Sequence, residues 1–141
     1  MSEENKAIAR KFIESMGAND SRSMGECLAD DAWADSKGYG KLCGKRGADV
    51  MVGMLDELAK LLPTGLRFEI VNLFGEGDRV ALEAQGNAVT KDGRDYRNRY
   101  AFLFKFEGGK IKEINEYFCS VHADEVLWPL VEAAGVDTST I

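Results

Sequence analysis

The chain has 141 residues, of which 45% are hydrophobic and 30% charged, and it carries a formal net charge of −6. This length and composition are typical of one globular domain, so we predict a single domain over residues 1–141. The acidic balance argues against a nucleic-acid partner, because phosphate binding needs a basic surface.

The polar start of the chain and its cysteines bear on the compartment. Residues 1–6 are polar and no apolar segment follows them, so we expect no signal peptide. No apolar stretch approaches the roughly 20 residues that cross a bilayer, so we expect no membrane partner. The cysteines, Cys27, Cys43 and Cys119, are odd in number and widely spaced. Free thiols in a reducing cytoplasm are therefore expected rather than a disulfide framework or a zinc knuckle.

Helical periodicity predicts three helices in the first half of the chain. The first covers residues 3–16, with Ser2 as its N-cap, and the second covers residues 21–28. The third covers residues 48–62, where apolar residues recur at helical spacing until Pro63 ends the helix. A short strand is predicted at residues 32–35, before a glycine-rich loop.

The second half of the chain reads as strands joined by tight glycine turns, which makes neighbouring strands antiparallel. The last helix is predicted over residues 124–134, with Gly135 as its stop. Helices followed by a strand meander indicate an α+β fold with the helices on one face of a curved sheet. The predicted strands span residues 66–74, 79–89, 96–106 and 110–118.

The strand over residues 96–106 carries an aromatic wall. Successive side chains of a strand point to opposite faces, so one face receives five aromatic residues and one amide. On the next strand, Ile114, Glu116 and Phe118 share one parity. This pattern predicts the lining of a ligand pocket on the concave side of the sheet. The residues of the wall are Tyr96, Asn98, Tyr100, Phe102, Phe104 and Phe106.

Three polar residues of these strands are candidates for the pocket. A carboxylate at Glu116 in an apolar cavity would have a raised pKa, which suits proton transfer; the alternative is a structural glutamate paired with an arginine or with Asn98. Asn98 and Tyr100 can hydrogen-bond a ligand oxygen, or instead satisfy neighbouring backbone groups. Three phenylalanines are packing residues, and some of them line the pocket: Phe102, Phe104 and Phe118.

Four stretches resemble the SnoaL-like branch of the nuclear-transport-factor-two-like superfamily, which includes ketosteroid isomerases, limonene epoxide hydrolases and polyketide cyclases. The resemblance implies a cone-shaped, curved mixed β-sheet packed on three N-terminal helices (a cystatin-like α+β barrel), with a hydrophobic cavity and a homodimer formed through the outer face of the sheet. The stretches are residues 12–20, 28–33, 44–63 and 98–118.

The catalytic residues of these relatives carry over only in part. The resemblance implies that the steroid isomerases have a tyrosine at the position of Phe12 and an oxyanion-binding aspartic acid at the position of Phe102. This chain lacks both donors, because a phenylalanine cannot donate a hydrogen bond. Their general-base aspartate falls at Ser36, with Asp35 one step away. Asp35 is then a candidate base at the cavity mouth, or a loop aspartate in an Asx-type turn.

The epoxide hydrolases resemble the chain at Glu116, which replaces one carboxylate of their Asp-Arg-Asp arrangement. The other two members of that arrangement would fall at Ala84 and Gly86, neither of which carries a charge.

Three hypotheses follow from these residues. The first is a cofactor-free and metal-free isomerase, cyclase or hydrolase acting on a hydrophobic, polycyclic or terpenoid-like molecule, with Glu116 and Asp35 as catalytic residues. Its ligand-binding residues would be Asn98, Tyr100, Phe102, Ser36, Phe12 and Phe118. The second is a binding module that uses the same cavity without chemistry. The third is a dimeric structural or interaction protein whose cavity is vestigial and filled by its own aromatic side chains.

Overall fold

The computed structural model describes residues 2–141. Met1, the first residue of the polar segment predicted at residues 1–6, lies outside the described residues. A curved mixed sheet of six strands carries three helices on its concave face, which confirms the predicted cone-shaped α+β fold. The helices are α1 (Ser2–Gly17), α2 (Ser21–Glu26) and α3 (Ala48–Leu61). The strands are β1 (Leu28–Ser36), β2 (Gly44–Gly47), β3 (Arg67–Glu76), β4 (Arg79–Val89), β5 (Asp95–Glu107) and β6 (Lys110–Phe118).

The strand order across the sheet is β2-β1-β6-β5-β4-β3. Strands β3 to β6 form an antiparallel meander, because each connection between them is a short turn. Strand β1 pairs in parallel with β6 along one edge. Along its other edge, β1 pairs with β2 in antiparallel orientation. The N-terminal part of the chain therefore completes the sheet beside the C-terminal hairpin.

The main core lies between the concave face and the helices. From α1, Ala9, Phe12 and Ile13 are buried against this face. The alternating burial of β5 places every residue of the aromatic wall, from Tyr96 to Phe106, on the concave side. The wall predicted from strand parity is therefore present as a buried face of the sheet.

A smaller core closes the other end of the sheet. After β6 the chain forms α4 (Ser120–His122), a π-helical turn (Ala123–Leu127) and α5 (Trp128–Ala134). This segment packs Val126 and Val131 near Leu61 and Tyr96. Gly135 ends α5 with a φ of 65°, as predicted for a C-terminal glycine. The last residues then return to the sheet, where the Ile141 amide donates to the Lys45 carbonyl at 2.9 Å.

Several elements differ from the prediction in their bounds, and one strand was missed. The second helix ends at Glu26, because residues 28–36 form one long strand rather than a helix end and a short strand. Strand β2 was not predicted, since four residues between glycines carry no clear alternation. Ser2 is the first helical residue rather than the N-cap. The last helical segment begins at Ser120 and not at residue 124.

Candidate functional site

A cavity of about 150 Å³ lies between the helices and the concave face of the sheet. Its wall is apolar except at three side chains, which are Ser36, Arg46 and Glu116. The apolar lining residues are Phe12, Met16, Met24, Ala34, Met51, Met54, Leu55, Leu58, Phe102 and Ile114.

The strand register brings the polar groups together. Ser36 of β1 pairs with Glu116 of β6, and Glu116 pairs in turn with Phe102 of β5. One strand further out, Arg46 of β2 pairs with Ala34, which is two residues before Ser36 on the same face of β1. Four strands thus place a hydroxyl, a carboxyl, a guanidinium and an aromatic ring on one patch of the concave face.

Glu116 is half-buried, and it lines the cavity. Its Oε1 accepts a hydrogen bond of 2.8 Å from the Ser36 hydroxyl. Burial raises the pKa of Glu116 above its ordinary value, while the Ser36 hydrogen bond and the positive charge of Arg46 lower it; burial prevails. A carboxyl group in this setting is suited to give and take a proton at a less acidic pH than an exposed glutamate.

Arg46 is held by backbone carbonyl groups. Its side chain is buried, with 5% of its surface exposed. Nε donates to the Thr138 carbonyl at 3.1 Å, and Nη1 donates to the Leu42 carbonyl at 2.8 Å. Burial lowers the pKa of Arg46, and the nearby Glu116 raises it. A guanidinium group keeps its proton in proteins, so a fixed positive charge stands at the cavity wall.

The helix side of the cavity is rich in methionine. Four of the lining residues are Met16, Met24, Met51 and Met54. Methionine has three rotatable bonds and a polarisable sulfur, so it adapts to ligands of different shape. The helix wall is therefore more adaptable than the sheet wall that faces it.

The structure places Asp35 away from the cavity. Asp35 pairs in register with Lys45 and Asn115, and its side chain has the opposite parity to Ala34 and Ser36. Its carboxylate instead forms a 2.8 Å ion pair with Lys37. Ser36 lines the cavity at this end of β1. The alternation of strand side chains thus separates the two candidates that sequence alone left open.

Asn98 hydrogen-bonds the protein rather than facing the cavity. Its Nδ2 donates to the Tyr96 hydroxyl at 2.9 Å and to the Cys119 carbonyl at 3.0 Å. Its Oδ1 accepts from the backbone amides of Cys119 and Arg99 at 2.9 and 2.8 Å. This pattern is the backbone-satisfying alternative considered for Asn98.

Tyr100 and Phe118 lie on the concave face near the cavity but outside its lining. The hydroxyls of Tyr100 and Tyr96 lie 3.0 Å apart, and the ring of Tyr100 stacks on Phe102. Phe118 contacts Tyr100 with ring centroids 5.9 Å apart. Neither residue is among those that line the cavity, whereas Phe12 and Phe102 are. The site-facing part of the aromatic wall is consequently the Phe102 ring.

Sequence reasoning missed Arg46 altogether. The residue lies in a four-residue strand bounded by Gly44 and Gly47, where a charged side chain is typical of a solvent-exposed loop. Only the pairing of Arg46 with Ala34 reveals that it shares the face of Ser36. If residues 28–36 are treated as one strand, side-chain alternation shows which face of the sheet Ser36 occupies. The position of β2 beside β1 depends on tertiary contacts, so the sequence gives no comparable signal for Arg46.

Comparison with known proteins gives a consistent picture of the fold. The SnoaL-like domain model matches residues 9–114. Comparison with curated proteins found no match. Among solved structures, PrhC from Penicillium brasilianum is 15% identical with a TM-score of 0.81, covering 96% of this chain and 93% of PrhC.

Two further structures share the fold at low identity. An LEH-like epoxide hydrolase of M. tuberculosis is 17% identical with a TM-score of 0.75, covering 96% of this chain and 97% of its own. An NTF2-like protein of Burkholderia xenovorans is 19% identical with a TM-score of 0.70, covering 89% and 96% of the two chains. At these identities the likeness concerns the fold alone.

Proposed function

This chain belongs to the SnoaL-like domain family, and from that premise we propose that its cavity binds a small, largely apolar molecule with which Glu116 exchanges a proton. The observation that carries the proposal is the Glu116 carboxyl, which has a raised pKa at the wall of a mainly apolar cavity. Carboxyl groups are seldom placed in such surroundings without a hydrogen-bond partner or a chemical role. Glu116 has its partner in Ser36.

The proposed step is general acid–base catalysis without a cofactor. As a carboxylate, Glu116 removes a proton from a carbon next to a ligand carbonyl: the C–H bond breaks, an O–H bond forms, and the electron pair moves to the carbonyl oxygen. Return of the proton to another carbon completes an isomerisation. Ser36 steadies the ionised form through its hydrogen bond, while Phe12 and Phe102 shape the apolar wall.

The cavity volume limits the ligand. A cavity of about 150 Å³ is of the size that holds one benzene molecule, whereas typical ligand pockets hold about 300–1,000 Å³. We therefore propose a one-ring ligand or an aliphatic molecule of similar size. A polycyclic or terpenoid-like ligand, as expected from the resemblance, would require the methionine side chains of the helix wall to move.

Proton exchange with solvent tests the function directly. One-ring ketones and keto acids are incubated with the protein in D₂O, and loss of their α-proton signals is followed by NMR. We expect exchange above the buffer rate for at least one compound, and its loss in Glu116→Gln. Glu69→Gln, which removes an exposed carboxylate from β3, is the matched control. Equal exchange by the wild type and Glu116→Gln would contradict the proposal.

A binding protein without chemistry is the second candidate, and one observation favours it. Phe12 and Phe102 line the cavity. By the resemblance given above, the steroid isomerases have hydrogen-bond donors at these two positions. A phenylalanine cannot stabilise the negative charge that develops on a ligand oxygen. Ligand binding with no proton exchange across the same compounds would support this second function.

We also propose that the outer face of the sheet forms a homodimer interface. Phe74, Ala81 and Leu103 lie side by side there in register on three strands. Phe74 is 64% exposed and Leu103 is 46% exposed. Adjacent exposed apolar side chains commonly mark an interaction site. Sedimentation velocity should give a dimer for the wild type and a monomer for Leu103→Lys; a monomeric wild type would contradict the interface.

A further inference from the structure

We infer that Arg46 recognises a carboxylate on the ligand, so that the cavity selects small apolar carboxylates. The inference rests on the proposed function for the cavity itself and adds the chemical class of the ligand. It comes from the hydrogen bonds and surroundings of the guanidinium group.

One terminal nitrogen of Arg46 makes no hydrogen bond within residues 2–141. Nε and Nη1 donate to the carbonyls of Thr138, Leu42 and Gly44, at distances from 2.8 to 3.5 Å. No hydrogen bond joins Nη2 to any other of residues 2–141. The three bonds fix the group, and Arg46 lines the cavity. The free N–H groups on Nη2 are thus donors held in place at a binding cavity.

The charge of Arg46 is also unpaired at close range. Within residues 2–141, no carboxylate lies within 4.0 Å of its guanidinium nitrogens. The negative charge of Glu116 raises the pKa of Arg46 through a Coulombic interaction, without an ion pair between the two side chains. The unpartnered Nη2 is accessible, because no buried side-chain nitrogen or oxygen among residues 2–141 lacks a hydrogen-bond partner, and it is free to take a partner of opposite charge. A ligand carboxylate would supply that partner through a charge-assisted hydrogen bond, which is among the stronger interactions available.

The register then orients the ligand. Arg46 stands on β2, and Glu116 stands two strands away on β6, with Ala34 and Ser36 of β1 between them. Ala34 presents only a methyl group, which leaves room for a ligand across β1. A ligand whose carboxylate meets Arg46 therefore extends its apolar part over Ala34 toward Glu116 and Phe102.

Benzoate and nitrobenzene make a matched pair of probes, because they have the same shape and only benzoate is charged. Affinities are measured at neutral pH by NMR titration, with the methionine methyl signals reporting whether the probe enters the cavity. We expect wild-type protein to bind benzoate about 10-fold to 100-fold more tightly than nitrobenzene. This comparison needs no variant, so it holds even if a change at Arg46 disturbs folding.

Two variants then test whether Arg46 causes the preference for benzoate over nitrobenzene. Arg46→Gln should remove the advantage of benzoate while nitrobenzene still binds. Lys45→Gln removes a neighbouring positive charge whose ammonium lies 4.0 Å from the Trp33 ring centre, and it should leave the preference intact. A preference that survives Arg46→Gln, in protein shown to be folded by circular dichroism, overturns the inference.

The outcomes also separate this inference from the proposed function. If nitrobenzene enters the cavity as tightly as benzoate, the assignment of Arg46 is wrong and a cavity for apolar ligands still stands. If neither probe perturbs the methionine signals, both the assignment and the proposed one-ring ligand are wrong.

Discussion

The Ser36 hydroxyl donates a 2.8 Å hydrogen bond to the Glu116 carboxyl across two parallel strands, although 80 positions separate the residues in the chain. The bond joins the end of β1 to the end of β6 at the wall of the cavity. It stabilises the ionised form of a carboxyl group whose surroundings favour the neutral form. The two residues therefore set the proton affinity of the site together.

Removing the Ser36 hydroxyl should raise the pKa of Glu116 further. Ser36→Ala deletes the hydrogen bond that favours the carboxylate, while burial of Glu116 persists. NMR titration of carbon-13-labelled glutamate side chains measures the change. Ser21→Ala, in α2 and outside the cavity, is the control and should leave the Glu116 titration in place. A pKa of Glu116 that stays constant or falls in Ser36→Ala would contradict this role of the hydroxyl.

The stability of the protein should depend on pH through Glu116. Because burial raises its pKa above the ordinary value of 4.5, the folded protein keeps a proton at pH values where the unfolded chain has released it. The favourable contribution is complete below the unfolded pKa and is lost as pH rises through the folded pKa. Relative to Glu116→Gln, the free energy of unfolding of the wild type should therefore fall as pH rises above about 4.5.

Urea denaturation at a series of pH values checks this dependence. Glu69→Gln, the exposed carboxylate variant, controls for the loss of one negative charge. A difference between the wild type and Glu116→Gln that stays constant, or that grows in favour of the wild type with rising pH, would rule out a raised pKa in the folded state.

Filling the cavity should block ligands at little cost to the fold. Ala34→Val adds two methyl groups to a cavity of about 150 Å³, so benzoate binding should weaken by about tenfold or more. The free energy of unfolding should change by less than about 1.5 kcal/mol. Ala101→Val, on the outer face of β5 opposite Tyr117, should leave binding unchanged. Undiminished binding in Ala34→Val would place the ligand outside this cavity.

Asn98 should be a stability residue. It is 4% exposed and its amide makes hydrogen bonds with Tyr96, Arg99 and Cys119. Asn98→Ala takes this partner from the buried Tyr96 hydroxyl and from the partly buried backbone groups of Arg99 and Cys119. We therefore expect a loss of about 2–4 kcal/mol in the free energy of unfolding by urea denaturation. Asn72→Ala, which loses one exposed bond to Glu83, should cost about 1 kcal/mol or less. Equal losses would contradict the structural role of Asn98.

The three cysteines should react in order of exposure. Cys119 is exposed, Cys43 is half-buried and Cys27 is buried. Burial also raises the pKa of Cys27, which reduces the thiolate available for reaction. With a disulfide reagent at neutral pH, Cys119 should be modified first and Cys27 only when the protein unfolds, as mass spectrometry of timed digests would show. Rapid modification of Cys27 in folded protein would contradict its burial.

The alternation within β5 was readable in the sequence because a strand's side-chain period is local. Six alternating positions identified the concave face, and the same rule placed Glu116 with Ile114 on β6. The same rule did not separate Asp35 from Ser36, since the second helix is predicted to run to residue 28 and the strand only over residues 32–35, which is too short to fix the parity. Glu116 could be nominated from sequence, but its partner could not.

By itself, the sequence determined the α+β class, the helix-then-meander order and the aromatic face of β5, because turn residues and side-chain periods act over a few neighbouring positions. Only the tertiary structure decided that Ser36 lies beside Glu116, that Asp35 lies on the opposite face, and that Arg46 stands at the cavity. Those relations depend on β1 pairing in parallel with a strand about eighty residues away. The size of the cavity likewise arises from how α1, α2 and α3 pack over the sheet, which no local pattern encodes.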